Sequence, residues 1–341
     1  MRLPTGKIPI NLLREVVFKS LGDKREEIVV GPAVGCDGAV INVGDKAVVV
    51  AMDPVTGAVE RIGWLAVNVN ANDIATFGVE PAFFFSSILL PQKLNTRTLK
   101  TICNQMDEAA KTLRIGIAGG HCEVTQGIAD PIVVGCAMGI TGQGDYVTAG
   151  GAKPTDKLIM TKSAGIEGTA ILASDKEKLL KSVIEASALD KAKSLFEKVS
   201  VVKEALTAIE SGGVGAMHDP TEGGVFGGVH EMADASKVGV RIFQNGIPVT
   251  AETLDICDFF KIDPLQLISS GALLISVKPW SADRVVRNVM KQGIHASIIG
   301  EFTERRDERI LIEKDGSQRA LPRPVSDHLW LALRDRSPKF L

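Results

Sequence analysis

Residues 64–81 read WLAVNVNANDIATFGVEP, and this stretch sets the architecture. From Arg61 to Phe77 the apolar positions Ile62, Leu65, Ala66, Val69 and Phe77 recur at the 3.6-residue period of an amphipathic helix. Asp73 falls on the same stripe, four residues after Val69, with Asn68, Asn70 and Asn72 close by. A carboxylate on a face meant for burial is costly unless something compensates it. Working towards the N-terminus, KAVVVAMD is a continuous apolar run of strand length that closes on Asp53. Before it, Leu12, Leu13, Val16, Val17 and Leu21 space out a first helix that stops at Gly22. Towards the C-terminus come the strand AFFFSSILL, a helix over Thr98–Leu113, and the strand RIGIAGG, read as opening into a loop at His121-Cys122-Glu123. PIVVGCAMGI closes this half as another strand.

Around GGAKPTDKLIMTK the chain restarts with a Gly/Pro loop and a strand, which places a domain boundary near residue 150. The division is 1–150 and 151–341. The second half again alternates helices with strands. It has a helix over Val201–Ile209, the Gly-rich turn SGGVGAMHDPTEGGVFGG, a helix through Glu231, and strands at VGVRIF, GALLISV and HASIIGEF. Strands interleaved with helices in both halves predict two domains of α/β or α+β class.

Composition narrows the function. The 341 residues are 45% hydrophobic, ample for two cores, and 39 Lys+Arg against 41 Asp+Glu leave a net charge of -2. Nucleic-acid binding lacks its electrostatic footprint. No run of eighteen uncharged apolar residues occurs and MRLPTGKIPI has no signal-peptide core, so the reading is cytoplasmic, without membrane association. Five cysteines, never spaced C-x-x-C, predict reduced thiols rather than disulfides or a zinc ribbon.

Three groups carry candidate chemistry. Asp37, Asp53 and Asp73 come from a glycine turn, a strand end and a helix face; carboxylates converging from separate elements are what a Mg²⁺ carrying nucleotide phosphates requires. Taken singly, Asp37 reads better as a turn cap and Asp53 as a solvated strand end, while Asp73 could equally be paired with an Arg. His121 and Glu123 follow a glycine pair and offer a proton carrier and a carboxylate. In His218-Asp219-Pro220-Thr221-Glu222-Gly223-Gly224, Thr221 is a plausible helix N-cap, and the glycines would let backbone N–H groups approach an anion. There is no Walker motif, no dinucleotide fingerprint and no G-x-S-x-G elbow.

Several segments, in order along nearly the whole chain, resemble the AIR synthase (PurM) superfamily, which includes the ThiL, SelD and HypE branches. They are VGCDGAVI, VVVAMDPVTG, WLAVNVNANDIATFGVEP, AGGHCEVT, KLIMTKSAGIEGTAIL, MHDPTEGGVFGG and IDPLQLISSGALLISV. The chain most resembles the HypE branch. The resemblance implies a two-domain PurM-like fold whose N-terminal sheet pairs across a homodimer, with ATP and Mg²⁺ between the domains and at the dimer interface. It implies that Asp37, Asp53 and Asp73 hold metal and phosphates, that Asn72 contacts the nucleotide, and that the loop with His218, Asp219, Thr221, Gly223 and Gly224 lines the cleft.

The departures concern function. HypE proteins end in a cysteine that carries the group to be dehydrated, whereas this sequence ends Ser337-Pro338-Lys339-Phe340-Leu341, so cyanide synthesis on its own C-terminus is not expected. Ser270 stands where HypE has an acidic residue, and G-D-T-K becomes Gly120-His121-Cys122-Glu123. A histidine beside Glu123 in the metal shell would favour Mn²⁺ over Mg²⁺. The expectation is an ATP- and divalent-metal-dependent enzyme that transfers or hydrolyses a nucleotide phosphate. The metal would be held by the aspartates, His121 or His218 would act on an unknown small-molecule or protein acceptor, and Asp219 would join the catalytic set. The alternatives are a metal-dependent phosphatase of a small phosphorylated metabolite or nucleotide and a non-catalytic maturation partner.

Overall fold

The computed structural model describes residues 6–33, 35–56 and 60–333. The terminal residues Ser337–Leu341 lie outside them. Two mixed sheets organise the chain. The first holds β1 (Ile28–Val30), β2 (Ala39–Val43), β3 (Lys46–Val55), β4 (Pro81–Pro91), β5 (Gly116–Thr125) and β6 (Ile132–Gly142), in the order β1-β2-β3-β6-β4-β5. All its pairings are antiparallel except β4 with β5. The second sheet, ordered β13-β12-β9-β11-β7-β10-β8, holds β7 (Lys157–Thr161), β8 (Val214–His218), β9 (Gly239–Phe243), β10 (Leu274–Val277), β11 (Ala296–Thr303), β12 (Arg309–Ile312) and β13 (Gln318–Ala320).

Helices cover one face of the first sheet: α2 (Ile62–Thr76) packs on β3 and β6, and α3 (Thr96–Leu113) packs on α2. A short α1 (Ile10–Glu15) precedes them. The helix expected to run to Gly22 breaks at Val16 into a 3₁₀ turn over Val17–Lys19; none of its residues is buried, so no core contact extends it. In the second half α4 (Ile166–Asp175), α5 (Glu177–Leu180), α6 (Ala186–Ser194) and α7 (Val202–Ser211) precede β8, and α8 (Gly224–Ser236) follows it. Then come α9 (Ala251–Phe260), α10 (Ala282–Lys291) and α11 (His328–Leu333).

The decisive element is α2, which is buried along its whole length rather than on one stripe. The first sheet, α3 and α7 surround it. Its polar side chains therefore bond inside the protein. Asn70 accepts from the Asp53 N–H at 2.8 Å and donates to the Ala66 carbonyl at 2.8 Å. Asn72 donates to the Val199 carbonyl and accepts from the Val201 N–H, both at 2.8 Å, tying α2 to the second half. Gly135 on β6 makes room for Asn70, since a Cβ there would collide with its amide.

Two strand readings change. β3 continues past Asp53 to Val55 because its ladder with β6 runs on through Val134 and Val133. His121-Cys122-Glu123 is no loop: it continues β5 in parallel register with Ser87, Ile88 and Leu89. The other face of the first sheet is open, with Met52, Cys136 and Phe85 in one cross-strand row and Val50, Met138 and Phe83 in the next. Met52 and Phe83 are exposed, as is Ile140 on the same face.

Asn72→Ala would leave the Val199 carbonyl and Val201 N–H buried and unpaired. A loss of about 2–4 kcal/mol in unfolding free energy is expected from urea titration; an unchanged midpoint would show that water replaces the amide.

Candidate functional site

The candidate site forms where the end of β8 meets the loop before β2 and the C-terminal half of α2. His218, the last residue of β8, is fully buried; its Nδ1 lies 2.5 Å from Asp37 Oδ2 and its Nε2 2.7 Å from Glu231 Oε2 on α8. Burial opposes the imidazolium, but Asp37 and Glu231 overcome it and hold the pKa well above the ordinary histidine value. His218 is thus a cation clamped between two carboxylates, which fixes Asp37; neither nitrogen is left free to serve as a base. Burial alone would raise Glu231, but Lys7 and His218 pull it down to about 2.

Asp219 follows directly. It is fully buried and both of its carboxylate oxygens lack a hydrogen-bond partner among the described residues. Ligand atoms of Asp37, His218 and Asp219 lie within 4.8 Å of one another. Asp73, buried on α2, is pushed well up by burial and by the charges of Asp219, Asp53 and Asp37. Asp53 shares strand parity with Val49 and Ala51, which face α2. Although its side chain is exposed, partial desolvation by the surrounding chain, with repulsion from Asp37 and Glu222, raises it to about 6, Lys7 opposing. Of the three aspartates that stand out in the sequence, Asp37 lies in this cluster, while Asp53 and Asp73 act on it through their charges. The orphaned oxygens of Asp219 and the mutual repulsion of four carboxylates are the donor chemistry that a divalent cation satisfies.

Other expected residues sit differently. Asn72 is engaged with the 199–201 backbone. The N-cap of α8 is Gly223, in left-handed conformation (φ 85°), not Thr221, whose hydroxyl accepts from Lys7 Nζ at 3.1 Å. The Gly223 N–H donates to Asp327 at 2.6 Å and the Gly224 N–H to the Thr221 carbonyl at 3.0 Å. Both glycines thus serve the turn: each has positive φ, and a Cβ on Gly224 would press against the Leu267 carbonyl. His121 and Glu123, 3.3 Å apart, are exposed on edge strand β5. Three strand spacings, about 14 Å, separate β5 from β3, so within one chain neither joins the aspartates.

Composition and motif single out neither Lys7 nor Glu167. Lys7 donates its N–H to Glu222 Oε2 at 2.7 Å and places Nζ 3.7 Å from Glu231, supplying positive charge to the acidic loop. Glu167, near the start of α4, is buried, its Oε2 and the nearby Ser270 Oγ both unpaired among the described residues; burial and the charges of Asp327, Asp53 and Glu222 raise it to about 7 against the influence of Ser270. The signal that could have found Glu167 is the one that marks Asp73, a carboxylate within an apolar helix (AGIEGTAIL).

Two mixed sheets with helices against them and an acidic cleft between the halves define a two-domain protein of PurM-like fold. The chain belongs to the AIR synthase related protein family: the family's N-terminal domain matches residues 35–141 and its C-terminal domain residues 153–313. It is 29% identical over 333 residues to a Methanocaldococcus jannaschii protein named for hydrogenase expression and formation, covering 94% of this chain and 95% of that one. To the Escherichia coli carbamoyl dehydratase HypE it is 29% identical over 283 residues, 82% and 81% of the two chains. Its fold matches the crystal structure of a HypE–HypF complex with a TM-score of 0.76, at 24% identity over 92% of this chain and 99% of that one. HypE in complex with ATP matches at 0.71, 19% identity, 94% and 96% coverage.

The cleft has a consequence for pH. Asp53 and Asp327 at about 6 and Glu167 at about 7 bind more protons folded than unfolded between pH 7 and 4, so each favours the folded state as pH falls through that window. His218, raised, adds stability that is lost as pH rises through its elevated pKa. His230, lowered to about 4, acts in the opposite direction. The metal-free protein is therefore expected to melt about 5 °C or more higher at pH 5.5 than at pH 8, with millimolar Mg²⁺ raising the midpoint more at pH 8, where it meets fewer protons. A midpoint that climbs with pH without added metal would contradict this electrostatic picture.

Proposed function

We propose that the protein is an ATP- and divalent-cation-dependent enzyme of the HypE type that transfers or hydrolyses a nucleotide phosphate, its acceptor a small molecule or another protein. One observation carries the reading: buried Asp219 close to Asp37, both of its oxygens unpaired among the described residues, with the charges of Asp53 and Asp73 acting on the same group. The E. coli relative named carbamoyl dehydratase and the neighbouring structure solved with ATP support it.

Asp37, Asp53, Asp73 and Asp219 would hold the cation, which when bound neutralises charge on the transferring phosphoryl group. With His218 protonated the donors are all oxygen, a set that suits Mg²⁺; Mn²⁺ preference would draw on His121, which lies on the sheet edge. His218 keeps Asp37 oriented, and Lys7 balances the Glu222 and Glu231 charges beside it. Glu167 can take a proton at neutral pH, which suits it to act on the acceptor. Five unpaired thiols suit a reducing, cytoplasmic setting.

The test follows phosphate release from ATP with Mg²⁺ or Mn²⁺. Asp73→Asn and Asp219→Asn are each expected to lower release at least 100-fold and to weaken ATP-induced thermal stabilisation; unchanged release in both variants would sink the reading.

We also propose that the open face of the first sheet joins two copies, the rows through Cys136 and Met138 forming the interface core. Met138→Arg is expected to convert a dimer to a monomer in sedimentation velocity; a wild-type monomer would count against the pairing.

A further inference from the structure

A cavity of about 890 Å³ opens between the two halves, and none of its lining residues belongs to the acidic cleft. Its walls come from the end of α3, the turn before β4, the 197–204 segment, and the loops at 248–250 and 293–295. At its base Lys162 pairs with the fully buried Glu204 and donates to the carbonyls of Ser200 at 2.6 Å and Gly271 at 2.7 Å. Three acceptors satisfy the three N–H donors of that ammonium, so the base is closed and neutral.

The mouth is not neutral. The side chains of Arg114, Lys198 and His295 line it without a hydrogen-bond or ion-pair partner among the described residues, and Lys203 adds a further charge. Against them stands Glu80, while Glu197 is already paired with Arg61. Between these side chains the wall is apolar, with Leu113, Val249 and Ile294. Concave space of this size, mostly apolar with a few convergent charges of one sign, is the composition of small-molecule sites.

We propose that this cavity is a second ligand site, distinct from the acidic cleft. It would take an anionic molecule of metabolite size, whose apolar body lies against Val249 and Ile294 and whose carboxylate or phosphate meets Arg114 and Lys198. The assignment does not depend on the phosphate-transfer reading.

The probe is 8-anilinonaphthalene-1-sulfonate, a fused aromatic body with one anionic head, titrated by fluorescence into the full chain with and without ATP and Mg²⁺. Saturable binding of one probe per chain is expected, unaffected by ATP and weakened at least tenfold both by the Arg114→Glu/Lys198→Glu double variant and by Val249→Trp, which fills the wall. Arg114 and Lys198 are exposed, so an unchanged melting midpoint in the double variant confirms its fold. Displacement by inorganic phosphate or by benzoate supports the site and identifies its preferred head group. Absent saturable binding, binding that survives both variants, or displacement by ATP overturns the proposal.

Discussion

Burial of α2 on every side is the constraint on which the molecule depends. A helix with no solvent face must place each polar side chain against a partner, and three asparagines and an aspartate enter the interior with it. Asn68 bonds back to its own helix at the Trp64 carbonyl, Asn70 secures the strand that carries Asp53, and Asn72 secures the connection that leads into α7. Asp73 has no such neutral partner among the described residues and feels the charges of other acids. The order of polar positions along one helix thus divides the labour: three residues hold the architecture so that the fourth can be kept in an unfavourable place.

The cleft stores repulsion and manages it in two ways. His218 and Lys7 supply positive charge at one end, where they bond Asp37, Glu222 and Glu231. At the other end Asp73, Asp219 and Glu167 have no adequate counter-charge and instead favour their protonated forms. An acidic centre divided between compensated and uncompensated carboxylates is prepared for a cation to enter on the uncompensated side, because there the exchange of protons for metal relieves repulsion without dismantling an existing ion pair.

Much of this is legible in the residues. The 3.6-residue period of 61–77, the anomalous Asp73 and the glycine-flanked HDPTEGG loop all mark real elements of the cleft. What escapes is contact made over long sequence separation. Nothing near Lys7 announces that it bonds Glu222, whereas α2 does carry a local signal that the stripe reading passes over: 62–76 is apolar on all sides, with Asp73 its one charge, as a helix buried all round requires. Glycine usually punctuates, so the Gly119-Gly120 pair suggests a strand end; here β4 approaches so closely that a Cβ on Gly120 would strike the Ser86 carbonyl, and the strand runs on. Thr221 has the chemistry of a cap, but the left-handed turn at Gly223 outranks it.

The bond between Lys7 and Glu222 spans 215 positions. During synthesis the residues up to Gly142 can lay down the first sheet and α2 while His218, Asp219 and Glu222 are still unmade, so for that interval Asp37, Asp53 and Asp73 have neither their clamp nor their balancing loop. The cleft therefore matures late, and its capacity to hold charge reports on completion of the whole chain rather than of either half.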